Sequence, residues 1–361
     1  MKLPTLILAA ALLYPAAAAA QTTAPATPAP AADTPNIRVG VTIFADYTVF
    51  QEPKIEDADG NEVTYSAFQI GRTYLNVTGN LSRTISFRVT PEVRRETGVG
   101  SSLNGSYVFR LKQAWLQWNL DDHVSPGSYA RFGMQPNPWF EFYEPVYRYR
   151  FQGTIFEERE GFMLSADVGA SFRYSLPRDF GDIQTGFYNG EGYSFAEVND
   201  QKAFMIRGTI RPVPGHAVLK GLRATGFFNK DAYVKHADRQ RAIGAVTFEH
   251  PYLHAGFHVL STKDQPSATA RAVDGRGWSM FITPRPGKGV EGLVRIDRFE
   301  PDQDVPARVR KRTIAGVAYW FPTQGNLTTA LMLDVDHATF GGFAPARPTD
   351  RRIALHALLN F

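Results

Sequence analysis

The sequence predicts an all-β chain that closes into a transmembrane antiparallel β-barrel. Three observations predict it. Apolar residues recur at every second position through most of the chain, and a strand sends successive side chains to opposite faces. The recurrences fall into about sixteen segments of roughly ten residues, the length at which a tilted strand crosses a bilayer. The connections alternate between short turns and longer polar loops, which the resulting architecture places on opposite sides of the membrane, turns periplasmic and loops extracellular.

The first residues read as an address. Met1 and Lys2 give a positive start, Leu3 to Leu13 are apolar, and Ala18-Ala19-Ala20 precede Gln21. This layout predicts a secretory signal peptide over 1–20, whose apolar part is shorter than the ~20 residues of a membrane helix. Residues 21–36 are mostly Thr, Ala and Pro and form a lead that cannot bury a core. The barrel is expected over 37–361. With no cysteine in 361 residues, disulfides, thiolate metal sites, thiol catalysis and a lipoprotein anchor are excluded. A net charge of +4 without a Lys/Arg tract excludes a nucleic-acid partner.

Strands are expected at 37–49, 65–78, 83–94, 105–120, 127–135, 161–175, 182–189, 203–211, 218–228, 240–248, 252–261, 276–283, 289–299, 310–321, 326–336 and 351–361. Ile37, Val39, Val41, Ile43 and Ala45 form the first apolar row, and Ile85, Phe87 and Val89 the next clear one. Phe162 to Phe172 alternate likewise, and so do Thr313 to Phe321, Leu327 to Val335 and Ile353 to Phe361. The apolar parity changes midway through 105–120. Long loops are expected at 50–64, 95–104, 136–160, 190–202, 229–239, 262–275, 300–309 and 337–350. Tyr47, Phe50, Trp115, Trp118, Phe187, Tyr188, Phe227, Phe228, Phe248, Tyr252, Trp278, Trp320 and Phe321 sit near strand ends, where interfacial girdles place amphipathic rings. Aromatic packing in a soluble periplasmic β-sandwich binder is the alternative.

Particular stretches resemble the phosphate-selective porin family, the outer-membrane porin O/P type. Phe68-Gln69-Ile70-Gly71-Arg72-Thr73-Tyr74-Leu75-Asn76-Val77-Thr78-Gly79 with Ile85-Ser86-Phe87-Arg88-Val89-Thr90-Pro91-Glu92 is similar to its early hairpin. Ala114-Trp115-Leu116-Gln117-Trp118 and Ala130-Arg131-Phe132-Gly133-Met134-Gln135 resemble the next hairpin. Gly186 to Tyr193 and Gly221 to Phe228 are further loose matches. The resemblance implies a sixteen-stranded, trimeric channel in outer-membrane lipid that favours phosphate through inward Arg and Lys. A final strand ending on Phe361 is likewise a pattern of the outer-membrane barrel class. The resemblance also implies that loop 136–160, the third long loop, folds inward and narrows the channel.

The face opposite each apolar row faces the lumen and tunes selectivity. By parity Arg88, Arg131, Arg173, Arg207, Arg223 and Arg295 point inward, and Arg72, Arg211 and Arg312 are expected to join them. Inward acids are fewer: Asp167, Asp297, Asp334 and Asp336, with Glu249 left open. Such a lumen attracts small anions, and planar Arg holds phosphate oxygens in pairs. Loop 136–160 carries Trp139, Phe140, Phe142, Tyr143, Tyr147, Tyr149 and Phe151, bulky enough to pack on a wall. Arg148 and Arg150 flank Tyr149, while Glu141, Glu144, Glu157, Glu158 and Glu160 make the loop acidic, a departure from a cationic phosphate funnel. The expectation is an eyelet between the loop and wall arginines; an extracellular flap is the alternative.

Enzymatic readings find little support. His254 and His258 are four apart, which on a strand separates them by roughly 13 Å, too far for one metal. No Ser sits in a GxSxG turn, and Gly287-Lys288-Gly289 lacks the rest of a phosphate loop. The reading is therefore a passive, mildly anion-favouring diffusion channel for small polar solutes, homotrimeric by resemblance, with no cofactor or metal. A barrel with an enzymatic or structural role is its rival.

Overall fold

A computed structural model describes residues 35–98 and 100–361; the signal peptide and nearly all of the lead lie outside the described residues. Sixteen strands follow in order: β1 (Asn36–Glu56), β2 (Glu62–Asn80), β3 (Ile85–Arg95), β4 (Tyr107–Asn119), β5 (Tyr129–Pro136), β6 (Ala166–Ser175), β7 (Gly181–Tyr188), β8 (Ala203–Ile210), β9 (Leu222–Val234), β10 (Ala237–His250), β11 (Leu253–Asp264), β12 (Val273–Pro284), β13 (Val290–Glu300), β14 (Val309–Trp320), β15 (Thr328–Gly341) and β16 (Asp350–Asn360). Each pairs antiparallel with its sequence neighbours, and β1 pairs with β16 to close the barrel. Closure removes the sheet edges, whose unpaired N–H and C=O groups cannot be satisfied in lipid. The seam ends on the last residue: the Val41 N–H donates to the Phe361 carbonyl at 3.0 Å, and the Phe361 N–H donates to Val41 at 3.1 Å. Gly40 permits this approach, because a Cβ there would collide with the Phe361 carbonyl.

Parity sorts the two faces. Ile37, Val39, Phe132, Phe187, Val246, Val317, Leu333 and Leu355 are exposed on the outside, and Phe68, 85% exposed, is the extreme. Alternate positions are buried. Register shifts interrupt the alternation at several points, two of them within the barrel wall near the loop. Thr90 opposes Gln113 while Pro91 opposes Leu111, so Lys112 is an extra residue and the inward parity flips. This is the change in apolar phase within 105–120. Phe44 opposes Arg72 while Ala45 opposes Ile70, leaving Gly71 as the extra residue of β2.

The structure departs from expectation in four places. The loops expected at 50–64 and 229–239 are largely strand: Glu56 pairs with Glu62 and Val234 with Ala237, because hairpin pairing satisfies the backbone wherever the two strands run on together. β6 begins at Ala166, so Phe162 and Leu164 belong to the preceding connection, which runs from 137 to 165. Helices, not expected in the mature chain, occur in that connection. Tyr188, Phe227 and Trp320 are buried within the barrel rather than placed in an outer girdle, and Trp115 faces inward under the Arg131 guanidinium at 4.3 Å. Trp118, Phe187, Phe228, Tyr252 and Phe321 are exposed outside.

Candidate functional site

The connection 137–165 enters the barrel as two helices, α1 (Pro138–Tyr147) and α2 (Phe156–Arg159). Asn137 caps α1, its side-chain oxygen accepting from the Trp139 N–H at 2.9 Å, and Pro138 fills the first turn, where a missing N–H costs nothing. Arg148 ends α1 in the left-handed region at φ 68°, and its N–H donates to the Glu144 carbonyl at 2.8 Å.

One side of the loop is apolar and lies against β9–β14. Trp139 stacks on Tyr143 with ring centres 4.8 Å apart, and Tyr143 and Tyr147 meet Phe281 edge-on at 6.0 and 5.4 Å. Phe156 meets Phe299, and Tyr149 meets Trp320. The opposing wall offers Ile243, Ala245, Leu260, Leu293 and Ile314, all buried. Each large side chain so buried contributes about 1.5–3 kcal/mol. A polar cluster is enclosed here: His258 Nε2 lies 2.8 Å from Glu157 Oε1, and His258 Nδ1 lies 3.0 Å from the Tyr143 hydroxyl. Below it Glu291 accepts from Arg148 at 2.8 Å, from the Tyr149 hydroxyl at 2.7 Å and from Arg285 at 2.8 Å.

The other side of the loop is charged. Arg150 donates to Glu144 at 2.6 Å and to Glu158 at 2.9 Å. Glu158 lies 3.6 Å from Arg72 of the wall, which donates to Glu92 at 2.8 Å, and Arg110 donates to Glu92 at 2.6 Å. Glu141 accepts from Arg131 at 3.0 Å and from Gln184 at 2.9 Å. Arg159 approaches Asp336 at 3.4 Å, which also accepts from Arg312 and Arg352 at 2.7 and 2.6 Å. Burial favours the neutral form of Glu158, but Arg150, then Lys112, Arg72 and Arg110, outweigh it and hold the carboxyl at about 2. Burial opposes ionisation of Glu141 too, and Arg131 and the Gln184 amide overcome it, lowering its pKa. Burial and the neighbouring Arg295 bring Arg159 down to about 10 against the pull of Asp336.

The arginines singled out by parity, Arg72, Arg88, Arg131, Arg173, Arg207, Arg223 and Arg295, all lie on inward faces, and all but Arg88 are paired with a carboxylate. Arg173 and Arg207 share Asp182, Arg223 meets Glu249, and Arg295 clasps Asp297 at 2.7 Å while donating to the Thr154 carbonyl. Arg211 lies past the end of β8 and pairs with Asp179. Arg88 differs: it donates to Thr90 at 2.9 Å and to Asn76 at 2.8 Å, and makes no ion pair among the described residues. Lys112, which the bulge turns inward, donates to the Ser165 and Tyr193 hydroxyls at 2.7 and 3.4 Å, lies over the Tyr193 ring, and makes no ion pair among the described residues. Glu92, Asp182, Asp231 and Glu291 also line the interior, as do Arg110, Lys112, Arg239 and Arg352, and Glu92 and Glu291 share their parity with Arg88 and Arg295. Asn137-Pro138 is the sequence signal for the start of α1. Among the described residues, no hydrogen bond or ion pair joins the loop to β1, β3 or β16. Along this arc Thr42, Asp46, Asn76, Arg88 and His356 face the interior.

A closed sixteen-stranded antiparallel barrel with an inward connection between its fifth and sixth strands has the architecture of the outer-membrane porins. The anion-selective porin of Comamonas acidovorans superposes with a TM-score of 0.59 at 10% identity, over 91% of this chain and 100% of that one. OmpF of Salmonella typhi, in complex with daunomycin, gives 0.63 at 11% identity over 91% and 98%, and OprB of Pseudomonas putida 0.60 at 9% over 90% and 94%. At these identities the likeness is one of fold. No family model matches the chain, and no curated protein matches it.

Proposed function

We propose that the protein is an outer-membrane porin, a passive diffusion channel for small hydrophilic solutes with a mild preference for anions, working as a homotrimer. One observation carries the reading. The loop docks on the inner wall of β9–β14 and makes no hydrogen bond or ion pair with β1, β3 or β16 among the described residues; on that arc Thr42, Asp46 and Asn76 face inward beside Phe44 and Leu358, which pack against the apolar cluster, and Arg88 has no carboxylate partner. A solute crossing that arc meets hydroxyls, amides and a guanidinium that donates without a carboxylate partner, and such a fixed charge raises the local concentration of anions. Paired charges on the loop and on β2–β4 order water across the constriction and disfavour apolar solutes. The step needs no energy coupling and no cofactor. The likeness to an anion-selective porin, and to an OmpT of Vibrio cholerae described in a trimer form, supports the reading at the level of fold. Reversal potentials in a KCl gradient across planar bilayers test it, with added phosphate as a second arm. Anion selectivity is expected, and a cation-selective channel refutes the lumen assignment. A stronger preference for phosphate than for chloride extends the reading to the phosphate-selective class.

A further inference from the structure

β2 climbs past its neighbour and leaves an open edge. β3 pairs with β2 only between Ser86 and Val93, opposite Asn80 and Thr73, so Glu62–Arg72 have strand partners on the β1 side alone. The Ile70 N–H turns away from β1 and donates to the Tyr107 hydroxyl at 3.3 Å. Alternation turns Phe68 and Ser66 the same way, and their backbone groups on that side meet no partner among the described residues. Thr64 to Ile70 hold no charge, Pro or Gly to guard this edge. The outer face here is apolar: Ile70, Phe68 and Ser66 lie across from Ala45, Tyr47 and Val49, which lie across from Ala357, Leu355 and Ile353. Outward apolar side chains suit lipid or protein, whereas unpaired N–H and C=O groups are not tolerated in lipid. A further strand satisfies both demands.

A segment of the required kind stands on the other flank. β5, β7 and β8 hold eight residues each, short of the about 9–11 of a lipid-spanning strand. The connection from β7 to β8 exposes Phe195 and Val198, at 71% and 75%, and residues 194–201 make no backbone–backbone hydrogen bond among the described residues. Charge matches as well. Arg95, outward beside the β2 edge, donates to the Gly105 carbonyl and the Tyr107 hydroxyl, and Asp200 accepts from the Gln201 amide; neither makes an ion pair among the described residues. We propose that the edge Ser66–Ile70 is completed by a strand from a second copy of this chain, residues 195–198 of its β7–β8 connection. The proposal rests on the homotrimer reading and names the contact that builds it. β2 and β7–β8 lie on opposite sides of β3–β6, and a closed threefold ring joins one flank of each subunit to the other flank of the next. Main-chain hydrogen bonds hold such an added strand, and its alternate side chains fix the register.

The test uses the mature protein folded in detergent and its lack of cysteine. Ser66→Cys or Phe68→Cys is combined with Ala196→Cys or Val198→Cys, and the products are oxidised. Crosslinked dimers and trimers on denaturing gels are expected from at least one combination and from none of the single variants. Ser66→Pro removes an N–H aimed at the partner and leaves the bonds to β1 in place. It is expected to weaken assembly by about tenfold, the effect of one hydrogen bond per contact, as measured by native mass spectrometry, with Ser66→Ala near wild type. Heat-modifiable gel mobility establishes that each variant is folded. A wild-type trimer that no pair crosslinks and that Ser66→Pro leaves intact overturns this contact while the trimer stands. Crosslinking by Ser66→Cys alone brings two β2 edges together and overturns the assignment to 195–198. A monomeric wild type overturns the trimer reading and the contact with it.

Discussion

The inner faces of β9–β14 and of the β16–β3 arc belong to one continuous sheet, yet they follow opposite rules. The first buries Ile243, Ala245, Leu260, Phe281, Leu293 and Ile314 together with paired Glu291, Arg295 and Asp297 and with His258. The second presents Thr42, Asp46, Asn76, Arg88 and Thr90, with Phe44 and Leu358 as its apolar members. The difference lies in what covers each wall. Residues 137–165 bring the rings of Trp139, Tyr143, Tyr147, Tyr149, Phe151 and Phe156 to the first, so its side chains are buried twice over, by the sheet and by the loop. An alternating strand in a barrel is therefore not a guide to a wet lumen unless the position of the inward loop is also known.

The largest expected effect follows from removing the apolar clasp. Trp139→Ala deletes a ring that stacks on Tyr143 and meets His258 and Phe227, and a large-to-small change of this kind costs about 3–5 kcal/mol. The cost falls on docking of the loop, because the sixteen-strand ladder does not depend on it. Single-channel recordings should show larger, noisier conductance with unchanged heat-modifiable mobility. Conductance equal to wild type would mean that the loop does not set the constriction.

Next in size is Glu157→Ala, which leaves His258 buried against Trp139 and Phe156 without its carboxylate. Stranding one member of a buried pair costs about 3 kcal/mol or somewhat more. Thermal unfolding should fall and recordings should become noisy. Glu157→Gln, which keeps a hydrogen-bonding group, is expected to lose less.

The charged side of the loop makes a pH prediction. The Glu158 carboxyl has its pKa depressed to about 2 in the folded protein from an ordinary value of 4.5. A depressed acid contributes stability that is fully present above the unfolded value and is lost as pH falls through the folded one. Loop docking should thus be constant from pH 7 to about 5 and weaken progressively toward pH 2, by on the order of 3 kcal/mol. Glu158→Gln should flatten that acid limb. A conductance that changes between pH 7 and 5, or an acid limb as steep in the variant, would count against Glu158 as the anchor.

The sequence made the barrel legible because period-two alternation survives any error in loop placement: every expected strand overlaps one of the sixteen. The inward direction of Arg88, Arg131, Arg207 and Arg295 was legible for the same reason. Ion pairing was not. Asp182 partners Arg173 and Arg207 from the neighbouring β7, and cross-strand register is set by turns and bulges that alternation does not encode. Lys112 was hidden by its bulge, which shifts the phase of everything after it. The apolar inner wall was hidden for a further reason: Phe281 and Leu293 alternate with outward Ile282 and Val294, so both faces of those strands read as greasy and neither parity is marked as luminal.

The smallest expected effect is the most discriminating, because it sets one arginine from each wall against the other. Arg295 is 2% exposed, clasped by Asp297 and bonded to the loop at Thr154; its charge is spent on holding the loop. Arg88 donates only to Asn76 and Thr90, so its charge is available to a passing ion. Arg88→Ser should lower the anion-to-cation permeability ratio by about twofold, an electrostatic change of a few tenths of a kcal/mol at physiological ionic strength, with thermal stability nearly unchanged. Arg295→Ser should do the reverse: it destabilises the docked loop by leaving Asp297 buried and unpaired, while selectivity among the remaining conducting channels stays near wild type. If Arg295→Ser shifts the permeability ratio as much as Arg88→Ser, the two walls contribute alike to the field in the lumen and the division between an anchoring wall and a conducting wall fails.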